Sequence, residues 1–207
     1  MNKTTYTFML LACMLLLVSC NNNSESDAKT KTEKKEEYTD DGKLTEVGQR
    51  TKGENEEIYE LTKRTITNKR VDISPLSITI NRIDFIRATN LTDEMIDSLQ
   101  LGVDIKLKDP VNYMEVSLTA ENKGNIDLIW PYISYIILNT KEQINAKSNN
   151  IFKPNNFEIY SGAKKEETLG IIFNSDPNEV NEITLIFDSS VGNGETITKE
   201  KKVKIAI

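Results

Sequence analysis

From residue 58 onward, apolar and polar positions alternate with a period of two, and turn-forming residues break the alternation into short runs. That period places successive side chains on opposite faces of a strand, so each run predicts a strand with one face buried. Residues 58–68 alternate unevenly and form a first strand. Leu76, Ile78 and Ile80 then alternate with Ser77, Thr79 and Asn81. Ile83, Phe85 and Ala88 continue on the shifted phase, which predicts a bulge near Asn81 and Arg82. Met114, Val116, Leu118 and Ala120 face one way, and Glu115, Ser117, Thr119 and Glu121 the other. The turn Asn122-Lys123-Gly124-Asn125 ends that run.

Residues 128–138 are almost wholly apolar, and Pro131 within them predicts a bent or edge strand. Three more alternating sets follow: Leu169, Ile171 and Phe173; Ile183, Leu185 and Phe187; Val203, Ile205 and Ile207. Ser161-Gly162, Asp176-Pro177-Asn178 and Gly192-Asn193-Gly194 separate them. About seven short strands with such spacing predict an all-β fold, an antiparallel β-sandwich. One segment has helical spacing instead. Thr92 is placed to cap a helix whose first turn carries Asp93 and Glu94 and whose apolar face is Met95, Ile96 and Leu99. With Gly102 at its end, this reads as a short helix inserted between strands, covering an open edge of the sandwich.

The N-terminal pattern differs. Lys3 precedes an unbroken apolar run over residues 8–18. That run has the length of a signal-peptide core and falls well short of the ~20 residues that cross a bilayer. Leu17-Val18-Ser19-Cys20, followed by Asn21-Asn22-Asn23, resembles the bacterial lipobox. The resemblance implies cleavage between Ser19 and Cys20 and diacylglycerol on the Cys20 thiol, a membrane anchor on the extracytoplasmic face. The only other cysteine, Cys13, lies in the segment that cleavage removes, so the mature domain would hold no disulfide. Acyl chains at about 0.8 kcal/mol per buried methylene anchor a protein without help from its surface. Three segments follow: a lipoprotein signal peptide (1–19), the lipidated cysteine with a polar linker (20–57), and a sandwich domain (58–207). Residues 21–57 contain few apolar side chains and predict a disordered spacer. As a coil its mean span is ~35 Å.

The chain carries 26 basic and 32 acidic residues. That balance gives no basic footprint for nucleic acid, and it disfavours a second contact with anionic lipid. There is no histidine, which removes the commonest metal ligand and the usual general base.

The run 112–124 (Asn-Tyr-Met-Glu-Val-Ser-Leu-Thr-Ala-Glu-Asn-Lys-Gly) and the run 161–173, from Ser161-Gly162 to Phe173, are followed by Ile183-Thr184-Leu185-Ile186-Phe187. Together they resemble the telokin-like, immunoglobulin-like domain of uncharacterised bacterial surface lipoproteins. The resemblance covers about residues 76–207 and implies an extracytoplasmic immunoglobulin-like β-sandwich. It carries no general activity.

Candidate chemistry is sparse. Without histidine or a Gly-x-Ser-x-Gly elbow no serine triad forms. A Ser-Lys hydrolase remains an alternative reading and requires a lysine amine beside a serine hydroxyl. Glu115 and Glu121 share the outward phase of one strand, ~20 Å apart, too far for a glycosidase pair; they read as a solvated face. Asn174, Asp176, Asn178 and Glu179 offer oxygen ligands in one loop, but without calcium-loop spacing, so no metal and no cofactor is assigned. Trp130, Tyr132 and Tyr135 flank Pro131 and form a candidate partner surface, the other reading being a core Trp130 with the tyrosines at its rim. The expected function is a non-catalytic, lipid-anchored interaction module. Its alternative is a solute- or envelope-component-binding lipoprotein, which predicts an apolar pocket in or beside the sandwich.

Overall fold

The computed structural model describes residues 38–39, 42–154 and 156–207. The signal segment, Ser19, Cys20 and most of the linker lie outside these. The described residues form an immunoglobulin-like antiparallel β-sandwich with one short helix. In chain order the strands are β1 (Arg50–Lys52), β2 (Ile58–Ile73), β3 (Leu76–Thr89), β4 (Val111–Asn122), β5 (Leu128–Ile129), β6 (Ile133–Leu138) and β7 (Gln143–Asn145). There follow β8 (Glu158–Ile159), β9 (Lys164–Phe173), β10 (Glu182–Phe187), β11 (Val191–Gly192), β12 (Glu195–Thr196) and β13 (Lys201–Ala206). Helix α1 (Asp93–Gln100) lies between β3 and β4.

One sheet has the order β1-β2-β3-β4-β9, a second β13-β10-β6-β7, and a small third β12-β11-β5-β8. The inner faces meet in one core. Ile78, Phe85, Met114 and Leu118 of the first sheet pack with Ile136, Leu185 and Phe187 of the second. The expected bulge is present, since the β3–β4 register shifts between Ile80 and Arg82. In β2 two further shifts, at Leu61/Lys63 and Ile66/Lys69, account for its uneven alternation. They also let it run as a single strand to Ile73.

Several expectations change. The folded body begins before Ile58, because Arg50–Lys52 pair with Ile58–Glu60 and Thr39 N donates to Arg50 O at 2.8 Å. Short polar segments of this kind order by adding to a sheet edge, without a core of their own. Residues 128–138 are two strands in two sheets, and β6 is flanked on both sides by β10 and β7, not an edge. The switch occurs at Trp130–Tyr132, where Tyr132 adopts φ 65° just after Pro131. Helix α1 has the predicted Thr92 cap, whose side chain accepts from Met95 N at 3.3 Å. It covers no edge. Met95, Ile96 and Leu99 pack over Leu61, Ile86, Val111, Tyr113 and Ile172, on the outer face of the five-stranded sheet. That sheet is therefore buried on both faces at one end.

Candidate binding site

Strand register lays the outer face of the five-stranded sheet out in rows. Leu61, Ile86, Tyr113 and Ile172 lie opposite one another across β2, β3, β4 and β9 and form the apolar row beneath α1. The next row on that face is Arg64, Asp84, Glu115 and Gly170. Beyond it come Ile66, Arg82, Ser117 and Thr168. Charge thus appears at the point where the apolar cover ends, and there a cavity of about 450 Å³ opens between the sheet and residues 42–45.

Asp84 organises this site. Its side chain is 2% exposed, and the Arg64 guanidinium grips it as a fork, Nε to Oδ1 and Nη2 to Oδ2, both at 2.7 Å. Burial of such a carboxylate is tolerated only with this kind of paired, bidentate partner. Arg82 Nε lies 2.8 Å from Asp84 Oδ2 without hydrogen-bond alignment, and the atom is buried. Arg64 also donates Nη2 to Leu44 O at 2.9 Å and Nη1 to Thr45 O, so it ties residues 44–45 down as a strap over the cavity. Gln49 fixes the end of the strap: its Oε1 accepts from Thr45 N at 2.7 Å and Glu46 N at 2.9 Å.

Glu115 is half-buried and makes no hydrogen bond among the described residues. Burial pushes its carboxyl above the ordinary range, the Asp84 charge adds to the rise, and Arg82 and Arg64 pull it back. Tyr113 is pushed up by burial, then by Glu115 and Tyr59. Tyr59 is pushed up by burial, then by Glu57. Glu115 is therefore not on a solvated face, whereas Glu121 is, beside Lys123 at 3.7 Å and Lys164 at 4.0 Å. Phase alone could not separate them, since both point outward and only the first lies beneath the strap.

The aromatic group expected to meet a partner is elsewhere. Trp130 is fully buried, with Nε1 donating to Asp188 O at 3.1 Å, and its ring meets Tyr132 edge-on at 5.1 Å. Tyr132 is buried too, its hydroxyl donating to Glu167 Oε2 at 3.0 Å or Asn156 O at 3.2 Å. Only Tyr135, 37% exposed, reaches solvent. The candidate partner surface is thus corrected to a core feature: the Tyr132 turn directs both large rings inward. Asp176 caps a short turn, accepting from Asn178 N at 2.9 Å. Among the described residues no His, Cys, Asp and Glu cluster suited to a metal occurs, and no serine hydroxyl is hydrogen-bonded to a lysine amine. Sequence pattern marks Arg82 only as part of a bulge and does not mark Arg64, Arg82 and Asp84 as a site. The signal present was Asp84 alone between Ile83 and Phe85, a charge inside a buried run.

No protein-family model and no curated protein matches the chain. Among solved structures, it is similar to a functionally unknown protein from Listeria monocytogenes at 11% identity and a TM-score of 0.50. The match covers 72% of this chain and 86% of that one, a likeness of fold.

Proposed function

We propose that this chain is a lipid-anchored, extracytoplasmic, non-catalytic binding module of a bacterial cell membrane, of the telokin-like surface-lipoprotein kind. The observation that carries the anchor is Leu17-Val18-Ser19-Cys20 at the end of an apolar run too short to span a bilayer. Ser19 and Cys20 are the cleavage pair, and Cys20 bears the lipid. No helix among the described residues is long and apolar enough to cross a membrane, which is compatible with a lipid as the attachment.

The cavity beneath residues 42–45 favours the solute-binding form of this reading. Its volume lies in the range of small-molecule sites, which combine apolar walls with a few convergent polar groups. It lies beside the sandwich, as a solute-binding lipoprotein requires, but its walls are mixed and not purely apolar. The Ser-Lys hydrolase gains no support from the described residues.

Growth of an expressing bacterium with labelled palmitate tests the anchor. The wild-type chain takes up label and sediments with membranes, and Cys20→Ala does neither. Equal labelling of the Cys20→Ala chain would end the proposal.

A further inference from the structure

The Arg64–Asp84 fork satisfies both of its members, and this leaves two ionised groups in the cavity wall without a direct hydrogen bond. One is the Arg82 guanidinium, whose side chain is 42% exposed and which lies beside Asp84 as an ion pair with no aligned hydrogen bond from its Nε. The other is the Glu115 carboxylate. Arg82 stands opposite Ser117, two residues along β4 from Glu115, and the two are therefore diagonal neighbours on one sheet face. Such neighbours are spaced about 7–8 Å, within the reach of long side chains. A guanidinium is a fork matched to a carboxylate, and a carboxylate in a low-dielectric pocket favours a cation beside it.

The rest of the wall is mixed: Leu44, Tyr59, Ile86 and Tyr113 give it aromatic and apolar surface, and Lys43, Thr45 and Thr51 add polar groups. Tyr113 makes no hydrogen bond through its hydroxyl among the described residues, so a donor-acceptor is available next to Glu115. With Asp84 and Arg64 engaged with each other, an isolated anion would meet the Glu115 charge, and an isolated amine would meet the Arg82 and Lys43 charges. A ligand with one charge of each sign meets neither penalty.

We infer that the cavity between residues 42–45 and the outer face of β2–β4 binds a small zwitterion, an α-amino acid with an apolar or aromatic side chain. Its carboxylate pairs with Arg82 and its ammonium with Glu115. Arg64 and Asp84 are positioning residues that hold the strap and the Arg82 stem. The inference rests on the binding-module reading but not on the anchor, which labelled palmitate tests separately.

The test is calorimetric titration of the full chain in detergent with three matched probes: phenylalanine, phenethylamine, which lacks the carboxylate, and 3-phenylpropionate, which lacks the amine. Phenylalanine binds about tenfold or more tightly than either, the scale of one charge-assisted hydrogen-bonded pair. Arg82→Gln reduces phenylalanine to the level of phenethylamine, and Glu115→Gln reduces it to that of 3-phenylpropionate. No heat with phenylalanine, or either truncated probe binding as well as phenylalanine, overturns the inference. Circular dichroism checks the fold of each variant, and if one unfolds, the probe comparison on the wild-type chain still decides.

Discussion

Replacing Asp84 by Asn tests the geometry from which the whole outer-face site follows. The substitution keeps shape and volume but removes the charge that two arginines face. Asp84 receives both arms of the Arg64 fork at 2.7 Å and lies 2.8 Å from Arg82 Nε. Removing one member of a buried pair costs about 3–5 kcal/mol, because the other charge is left uncompensated. Arg64 is 17% exposed and keeps its bonds to Leu44 O and Thr45 O, so the loss belongs at the lower end, about 3 kcal/mol. Urea unfolding followed by circular dichroism reads it directly, with the midpoint lowered and the slope unchanged. Arg64→Met alone and combined with Asp84→Asn completes a cycle, and the pair is expected to couple by about 1–3 kcal/mol. A loss below about 1 kcal/mol, the range of an exposed ion pair, would refute the reasoning, since Asp84 would then behave as a surface carboxylate.

Two further substitutions probe neighbouring parts of the same face. Gly170→Ala places a Cβ 2.9 Å from the Phe152 ring and 3.0 Å from Ile151 Cγ1, so thermal unfolding should show a loss of about 1–3 kcal/mol, relieved when Phe152→Ala is added. Glu115→Gln should stabilise the protein near neutral pH. The Glu115 carboxyl is raised in the folded state, so between its ordinary value of 4.5 and its raised value the folded chain holds more proton than the unfolded one. Stability therefore falls as pH rises through that window, and the advantage of Gln should vanish below it. Urea midpoints of the two proteins across pH measure the difference, and a constant difference would contradict the assignment. A gain in stability with a loss of binding is the trade-off expected of a functional charge.

The elements visible in the sequence are those set by near neighbours. The alternation through β4 and the phase shift at Asn81–Arg82 are local consequences of the pleat, and each appears where expected. The Thr92 cap is likewise local. The site is not. Arg64 and Asp84 are brought face to face by the β2–β3 register, which depends on bulges in β2 that the uneven alternation of residues 58–68 signals without locating. Leu44 and Thr45 belong to a polar stretch whose order derives from a bond to Arg64 and a turn around Gln49, not from apolar content. Trp130 and Tyr132 are ambiguous for a related reason. A nearly continuous apolar run fits a surface anchor or a core equally well until the positive φ of Tyr132 is known. The same holds for α1: its caps show that it exists, but only the sheet beneath shows which face it covers.

The measurement that bears most directly on the proposed site is amide chemical-shift mapping of the full chain with phenylalanine. Binding under the strap predicts shifts at Thr45, Thr51, Arg64 and Glu115, with the Trp130 indole and Ser134 in the opposite, filled core unmoved. Shifts centred on Trp130 or Tyr135, or none on the outer face of the five-stranded sheet, would contradict it.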